Sequence, residues 1–125
     1  MNKIIATKNA PAAIGPYSQA VLAGNTLYIS GQLPIVPETG AMPSDIQAQT
    51  EQSLRNIGAI LEEAGMGYKD VVKSTCLLAN ISDFAAMNEV YAKFYPTNSP
   101  ARAAFAVKDL PKGALVEIEA IAVKQ

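Results

Sequence analysis

Apolar positions in this chain recur at two different periods. In "SDIQAQTEQSLRNIGAILEEAG", Ile46, Thr50, Leu54, Ile57, Leu61 and Ala64 follow one another at steps of three and four. That spacing puts them on one face of a helix. Ser44 precedes the run with Gln47 three residues on, which predicts a capping box, and Gly65 suits the helix end. A second helical stripe is Phe84, Met87, Tyr91 and Phe94, with Ser82 as its expected cap and Pro96 as its stop. Elsewhere the apolar residues come in strand-length runs. "QAVLAGNTLYISGQL" reads as a hairpin turning at "AGNT", and "DVVKSTCLLA" reads as a strand. "ARAAFAV" and "ALVEIEAIAV" read as two more strands, joined by "KDLPKG". "PIVPETGAMP", with three prolines and a glycine in ten residues, reads as a loop.

The order is a strand-rich first third, then helix, strand, helix, strand, strand. It predicts an α+β fold with two helices on one face of a mostly antiparallel or mixed sheet. Two helices cover one face only. The last strand presents Val116, Ile118, Ala120 and Ala122 to one side. It presents Leu115, Glu117, Glu119, Ile121 and Val123 to the other. A strand apolar on both sides needs cover on both. With no third layer in the chain, the second face is expected to pack on another copy, giving a homo-oligomer.

At 125 residues without repeat or linker, the chain is expected to form a single domain, 1–125. The net charge of -1 and a pI near 5.3 argue against nucleic acid, which demands clustered Lys and Arg. No signal-peptide-like start and no run of about 20 apolar residues occur, so a cytoplasmic protein independent of membranes is expected. The sequence holds no His, which removes Ser-His-Asp and Cys-His schemes and His-ligated metals. A single cysteine, Cys76, excludes an intrachain disulfide and reads as an inert core residue. Neither GxGxxG nor a P-loop appears. Chemistry here must therefore run on Arg, Lys, Glu, Asp, Tyr, Ser, backbone amides and water.

Several residues fit that inventory, each with a plainer alternative. Arg102 shares its strand face with Ala104 and Ala106, which leave room beside a guanidinium able to grip a carboxylate with two parallel bonds. The alternative is a surface or interface salt bridge. Glu117 and Glu119 share one otherwise apolar face. One could pair with an arginine while the other orients water, or both could lie on a solvated or interface face. Tyr17, after Gly15-Pro16, either walls a pocket or starts a strand in the core. Ser30 could bond a ligand that Gly31 lets close to the backbone, or both are ordinary strand-end residues. Asn88 interrupts the apolar side of the second helix, and the pattern does not choose between a backbone bond and an interface.

"GPYSQAV", "YISGQLP", "NSPARAAF" and "EIEAIAV" stand in the order and spacing of one family. Across its whole length the chain resembles the RidA proteins, the reactive intermediate deaminase A family formerly called YjgF. The resemblance implies a chorismate-mutase-like fold assembled as a homotrimer with clefts between subunits. It implies hydrolysis of enamine and imine intermediates, such as 2-aminoacrylate, 2-iminopropanoate and 2-iminobutanoate, to 2-keto acids and ammonia, without cofactor or metal. It places the substrate-carboxylate arginine on Arg102, the water-holding acid on Glu117, and the pocket tyrosine and serine on Tyr17 and Ser30. Many members carry a cysteine where this chain has Ala104, which excludes thiol chemistry there but keeps a backbone N–H able to bind a carboxylate. The alternatives are a non-enzymatic sensor of a 2-keto acid or amino acid, a chaperone-like trimer, and an RNA-acting protein. The acidic pI and missing His count against the last.

Overall fold

A computed structural model describes residues 1–125. The elements are β1 (Lys3–Ile5), β2 (Ala20–Ala23), β3 (Thr26–Gln32), α1 (Ile46–Glu63), β4 (Val71–Leu78), α2 (Phe84–Phe94), β5 (Ala101–Ala106) and β6 (Val116–Val123). The strands make one six-stranded sheet in the order β1-β2-β3-β6-β4-β5. All pairings are antiparallel except β4–β5, which is parallel, so the sheet is mixed as expected. No helix is long and apolar enough to cross a membrane.

The predicted stripes form the core. Thr50, Leu54, Ile57 and Leu61 of α1 and Met87 of α2 are fully buried, packed on Val116, Ile118, Ala120 and Ala122 of β6. The end of α1 follows from its sequence. Gly65 takes φ +74, its N–H donates to the Glu62 carbonyl, and the Met66 N–H donates to the Leu61 carbonyl. These two bonds satisfy carbonyls that the last turn would otherwise strand.

Both predicted N-caps shift by one residue. Asp45, not Ser44, caps α1, its carboxylate accepting from the Ala48 N–H at 2.7 Å, so the Ser44–Gln47 box does not form. A carboxylate is the better partner for the positive end of the helix dipole. Ser82 lies within a short 3-10 turn, Ile81–Asp83, and α2 starts after Asp83 without a side-chain cap. The sequence pattern also missed β1, a three-residue edge strand.

The second sheet face is bare in the single chain. Register puts Tyr28 beside Ile121 and Phe105 beside Leu77 on it, with Tyr28 52% and Phe105 47% exposed. Glu117 and Glu119 lie between these two apolar groups, opposite Leu77 and Thr75 of β4.

Candidate active site

The predicted site residues fall into two groups. The first gathers where β3 meets β6. Between the pairs Ile29–Ala120 and Gln32–Ile118, Ser30 and Gly31 together oppose the single residue Glu119, which is a β-bulge. The bulge brings Gly31 under Glu117, so closely that a Cβ on Gly31 would lie 2.5 Å from Glu117 Oε2. Only glycine leaves that carboxylate its position. Ser30 Oγ donates to the Ser18 carbonyl at 2.6 Å, so its remaining capacity is as an acceptor. Tyr17 is turned outward by a tight bend at Pro16, the Tyr17 N–H donating to the Gly15 carbonyl at 2.9 Å with Gly15 at φ +119. Tyr17 and Gly31 then wall one cleft of about 250 Å³, together with Leu33, Ile35 and Lys112.

Buried amides that the sequence reading did not single out hold this group in place. The Gln19 side chain, 4% exposed, accepts from the Thr7 N–H and donates to the Ala10 and Pro11 carbonyls, tying down the segment before Tyr17. Asn56 donates to the Leu33 and Ile35 carbonyls, and Gln49 accepts from the Leu115 N–H at the foot of β6. Each fixes a cleft-forming loop to a helix or strand of the core.

Glu117 is half-buried on the bare face. Burial raises its pKa above the ordinary glutamate range, and the neighbouring Glu119 charge raises it further. A carboxylate shifted upward is a better proton acceptor than a free one.

The second group lies elsewhere. Register pairs Arg102 with Ser74 and Ala104 with Cys76, all on the helix-covered face of the sheet. The guanidinium lies against α2, 4.8 Å above the Tyr91 ring centroid and 5.5 Å from that of Phe84. Its Nη1 donates to Asn88 Oδ1 at 2.7 Å, which resolves the role left open for Asn88. Phe84, Asn88 and Tyr91 sit at i, i+4 and i+7 of α2, one helical face forming a cradle. No carboxylate answers the charge, the one ion pair of the chain being Arg55–Glu51. Of the plainer reading, a surface or interface salt bridge, the form within one chain is therefore absent. The guanidinium is thus a half-buried cation held by a neutral amide and two rings, with donors to spare.

Ala104 adds a donor. Val107 N–H donates to the Leu78 carbonyl, so alternation along a parallel pair turns the N–H groups of Ala104 and Arg102 to the open edge of β5. Cys76 is buried with its thiol pushed up to about 11, an inert core residue as predicted.

The two groups do not meet within one chain. Glu117 is two strands and three residues from Arg102, about 14 Å between Cα atoms from ordinary strand spacings, and on the opposite sheet face. No cluster of three or more His, Cys, Asp or Glu is placed to hold a metal ion.

The chain matches the family described as Endoribonuclease L-PSP over residues 7–124. It is 54% identical over 125 residues to the 2-iminobutanoate/2-iminopropanoate deaminase of Capra hircus, covering 99% of this chain and 91% of that protein. Among solved structures, RidA from an Antarctic Psychrobacter has a TM-score of 0.94 and 51% identity, covering 97% of this chain and 98% of that one. Escherichia coli TdcF with bound serine has a TM-score of 0.95 and 44% identity, covering 98% of this chain and 99% of that one.

Proposed function

The chain belongs to the Endoribonuclease L-PSP family, and on that premise we infer that it is an imine deaminase, like the relative it matches over nearly its whole length. Its reaction is the hydrolysis of small enamine and imine acids, 2-iminobutanoate and 2-iminopropanoate among them, to 2-keto acids and ammonia. The observation that carries the reading is Arg102, a half-buried guanidinium cradled by Asn88, Tyr91 and Phe84 with no carboxylate of its own.

The substrate is a small flat anion with an electrophilic C=N carbon. Arg102 grips its carboxylate and the outward N–H of Ala104 adds a third donor, which removes most of the positional entropy of the encounter. Glu117 accepts a proton from water as the water oxygen bonds to the imine carbon. The C=N pair moves to nitrogen, which takes up a proton, giving a carbinolamine. The hydroxyl proton then passes by way of the Glu117 carboxylate to the amino nitrogen, the electrons it leaves form the C=O bond, the C–N bond breaks and ammonia departs. Ser30, its own proton committed to Ser18, accepts from the substrate N–H, and Tyr17 walls the cleft beside Gly31. No step calls on a cofactor or a metal.

Arg102 and Glu117 are too far apart in one chain for one small substrate, so the site joins the Arg102 edge of one copy to the Glu117 face of another. The bare face, with Tyr28, Ile121, Leu77 and Phe105, offers apolar area for that contact. A homotrimer in which each subunit gives both halves to different neighbours closes the arrangement with three equal clefts.

Two other readings have an observation behind them. The Escherichia coli relative binds serine, which fits a sensor of small amino or keto acids. The family description names an endoribonuclease, against which stand the net charge of -1 and the lack of any His. One assay separates all three. A threonine dehydratase generates the imine in place while 2-keto acid release is followed with wild type and Arg102→Ala, both sized by chromatography. Wild type accelerates release, and Arg102→Ala loses about a thousandfold in kcat/KM at unchanged size, as expected for two lost charge-assisted bonds. A well-assembled wild type that does not accelerate release turns the site into a sensor. RNA cleavage by wild type that Arg102→Ala abolishes restores the nuclease.

A further inference from the structure

The bulge of β3 decides what lies beneath Glu117. Continued without it, the pairing Ile29–Ala120 would set Ser30 opposite Glu119, Gly31 opposite Ile118 and Gln32 opposite Glu117. Gly31 would then share the helix-covered face with Ile118, and Gln32 the bare face with Glu117, because a slip of one residue sends every side chain to the other face. With the bulge, Gln32 pairs with Ile118, is 4% exposed, and leaves Gly31 under the carboxylate. The regular register is the alternative that the ladder itself offers, so the extra residue must be held in place.

Ser30, which opens the bulge, is tied at three atoms. Its N–H donates to the Gln19 carbonyl at 2.9 Å and its Oγ to the Ser18 carbonyl at 2.6 Å. These two bonds fix it to the segment leading into β2. Its carbonyl accepts from Gln32 Nε2 at 3.0 Å. This third bond spans the bulge, joining the residue that opens it to the residue where pairing resumes. A carbonyl can only accept, which settles which end of the Gln32 amide faces it.

For stability alone, glutamine is a poor choice at this position. Its amide carries two N–H donors and an acceptor oxygen, and within the chain it makes one bond while almost wholly buried. Its free atoms are not among the sealed-off polar atoms of the core, and Gln32 borders the cleft shared with Tyr17 and Gly31, so solvent reaches them there. Methionine would fill similar space with no amide to satisfy. What glutamine adds is the bond to Ser30.

We propose that Gln32 is a positioning residue for Glu117: its amide locks the Ser30–Gly31 bulge and so keeps a glycine, and no larger residue, beneath the carboxylate that aims the attacking water. It acts through the backbone and not on the substrate. The role in catalysis rests on Glu117 being the water-holding group; the lock on the bulge does not.

The test is Gln32→Met in the assembled protein, with Gln32→Asn as a second variant that keeps an amide but is one carbon too short to reach Ser30. Both enter the dehydratase-coupled assay beside a melting curve and size chromatography, so that rates refer to folded, assembled protein. In each, kcat falls about tenfold, short of the hundredfold that a full displacement of about 1 Å costs. KM stays within about twofold, because Arg102 and its cradle on α2 are untouched. Gln32→Met combined with Gly31→Ala costs less than the product of the two separate losses, since both displace the same carboxylate. A folded variant with wild-type kcat overturns the proposal whatever its Tm, because a bond that only stabilises moves Tm and leaves kcat alone. Losses that simply multiply with Gly31→Ala overturn it too. A crystal structure of Gln32→Met decides the lock separately: Ser30 and Gly31 shift toward the regular register, and an unmoved bulge refutes the lock. Wild-type turnover by Glu117→Gln overturns the reading of Glu117 itself, while that crystal structure still decides whether the amide holds the bulge.

Discussion

Gly31→Ala separates catalysis from folding more sharply than any other change. Gly31 has no left-handed φ, so alanine meets no backbone strain there. The new methyl instead meets Glu117, at 2.5 Å from Oε2, 3.0 Å from Cδ and 3.2 Å from Cγ. Ordinary van der Waals contact begins near 3.4 Å, so the carboxylate must retreat by about 0.9 Å. It can do so cheaply, because a half-buried glutamate turns about three side-chain bonds. Replacing glycine also removes unfolded-chain entropy worth about 0.4–1 kcal/mol. The net stability change is therefore within about 1 kcal/mol of zero. Catalysis has no such latitude. A misplacement of about 1 Å at the group that aims the attacking water costs about a hundredfold in rate. The dehydratase-coupled assay, run beside a melting curve, reads both quantities on one preparation. Near-wild-type turnover by a folded Gly31→Ala would refute the aiming of water by Glu117 from above the bulge. A collapse of stability would mean that the bulge itself, rather than the carboxylate, demands glycine.

The same carboxylate predicts a pH profile. A base must be ionised, so activity falls as pH drops through the Glu117 pKa, which burial first and Glu119 second hold above the usual glutamate range. Glu119→Gln removes the second cause and moves the acid limb of the kcat profile to lower pH; an unmoved limb would exonerate Glu119. The stability sign is the reverse of the usual carboxylate case. The folded chain holds the Glu117 proton more tightly than the unfolded chain, so this group adds stability as pH falls through its raised pKa, and Glu119→Gln adds a little at neutral pH. Away from the site, a methyl on Gly58 would overlap Tyr68 Oη, which donates to the Leu54 carbonyl at 2.6 Å while its ring packs edge-on against Phe94 and Tyr95. That ring has nowhere to go. Gly58→Ala is expected to cost about 1–2 kcal/mol in chemical denaturation despite the helical gain of alanine, with activity per folded molecule kept.

What could be read from the sequence was whatever depends on local period. The stripes of α1 and α2, the Gly65 stop and the two apolar faces of β6 all follow from residues a few positions apart. Alternation also shows that Arg102 shares a face with Ala104, and Glu117 with Glu119. It cannot show that these two faces are opposite. That depends on the parallel β4–β5 and antiparallel β4–β6 registers, which pair residues far apart in the chain. The bulge at Ser30–Gly31 is hidden for the same reason, since it exists only relative to β6. Tyr91 shows how one pattern can serve two purposes. Its place in a helical stripe marks it as core, and it is core, yet the same ring is the floor under Arg102. Asn88 broke the stripe, and a polar residue at a core-facing position was the one local sign that something charged lay opposite.

Two half-sites on opposite faces of one sheet make a prediction that a single-chain site cannot share. Arg102→Ala and Glu117→Ala each destroy one half, so each pure protein is inactive. Each leaves the other half intact, since Arg102 rests on α2 and Glu117 on the β3 bulge. The two are unfolded together, mixed in equal amounts and refolded. In a cyclic assembly every cleft takes its arginine from one subunit and its glutamate from the next. Random mixing then gives about a quarter of clefts both residues, so about a quarter of wild-type activity returns. The value is independent of how many subunits close the ring, so it tests the sharing of the site and not the trimer. If both residues acted from one chain, every cleft would lack one of them and activity would stay at the level of the separate variants. A mixture that assembles normally yet stays inactive would therefore refute the shared cleft and leave Glu117 without a role beside Arg102.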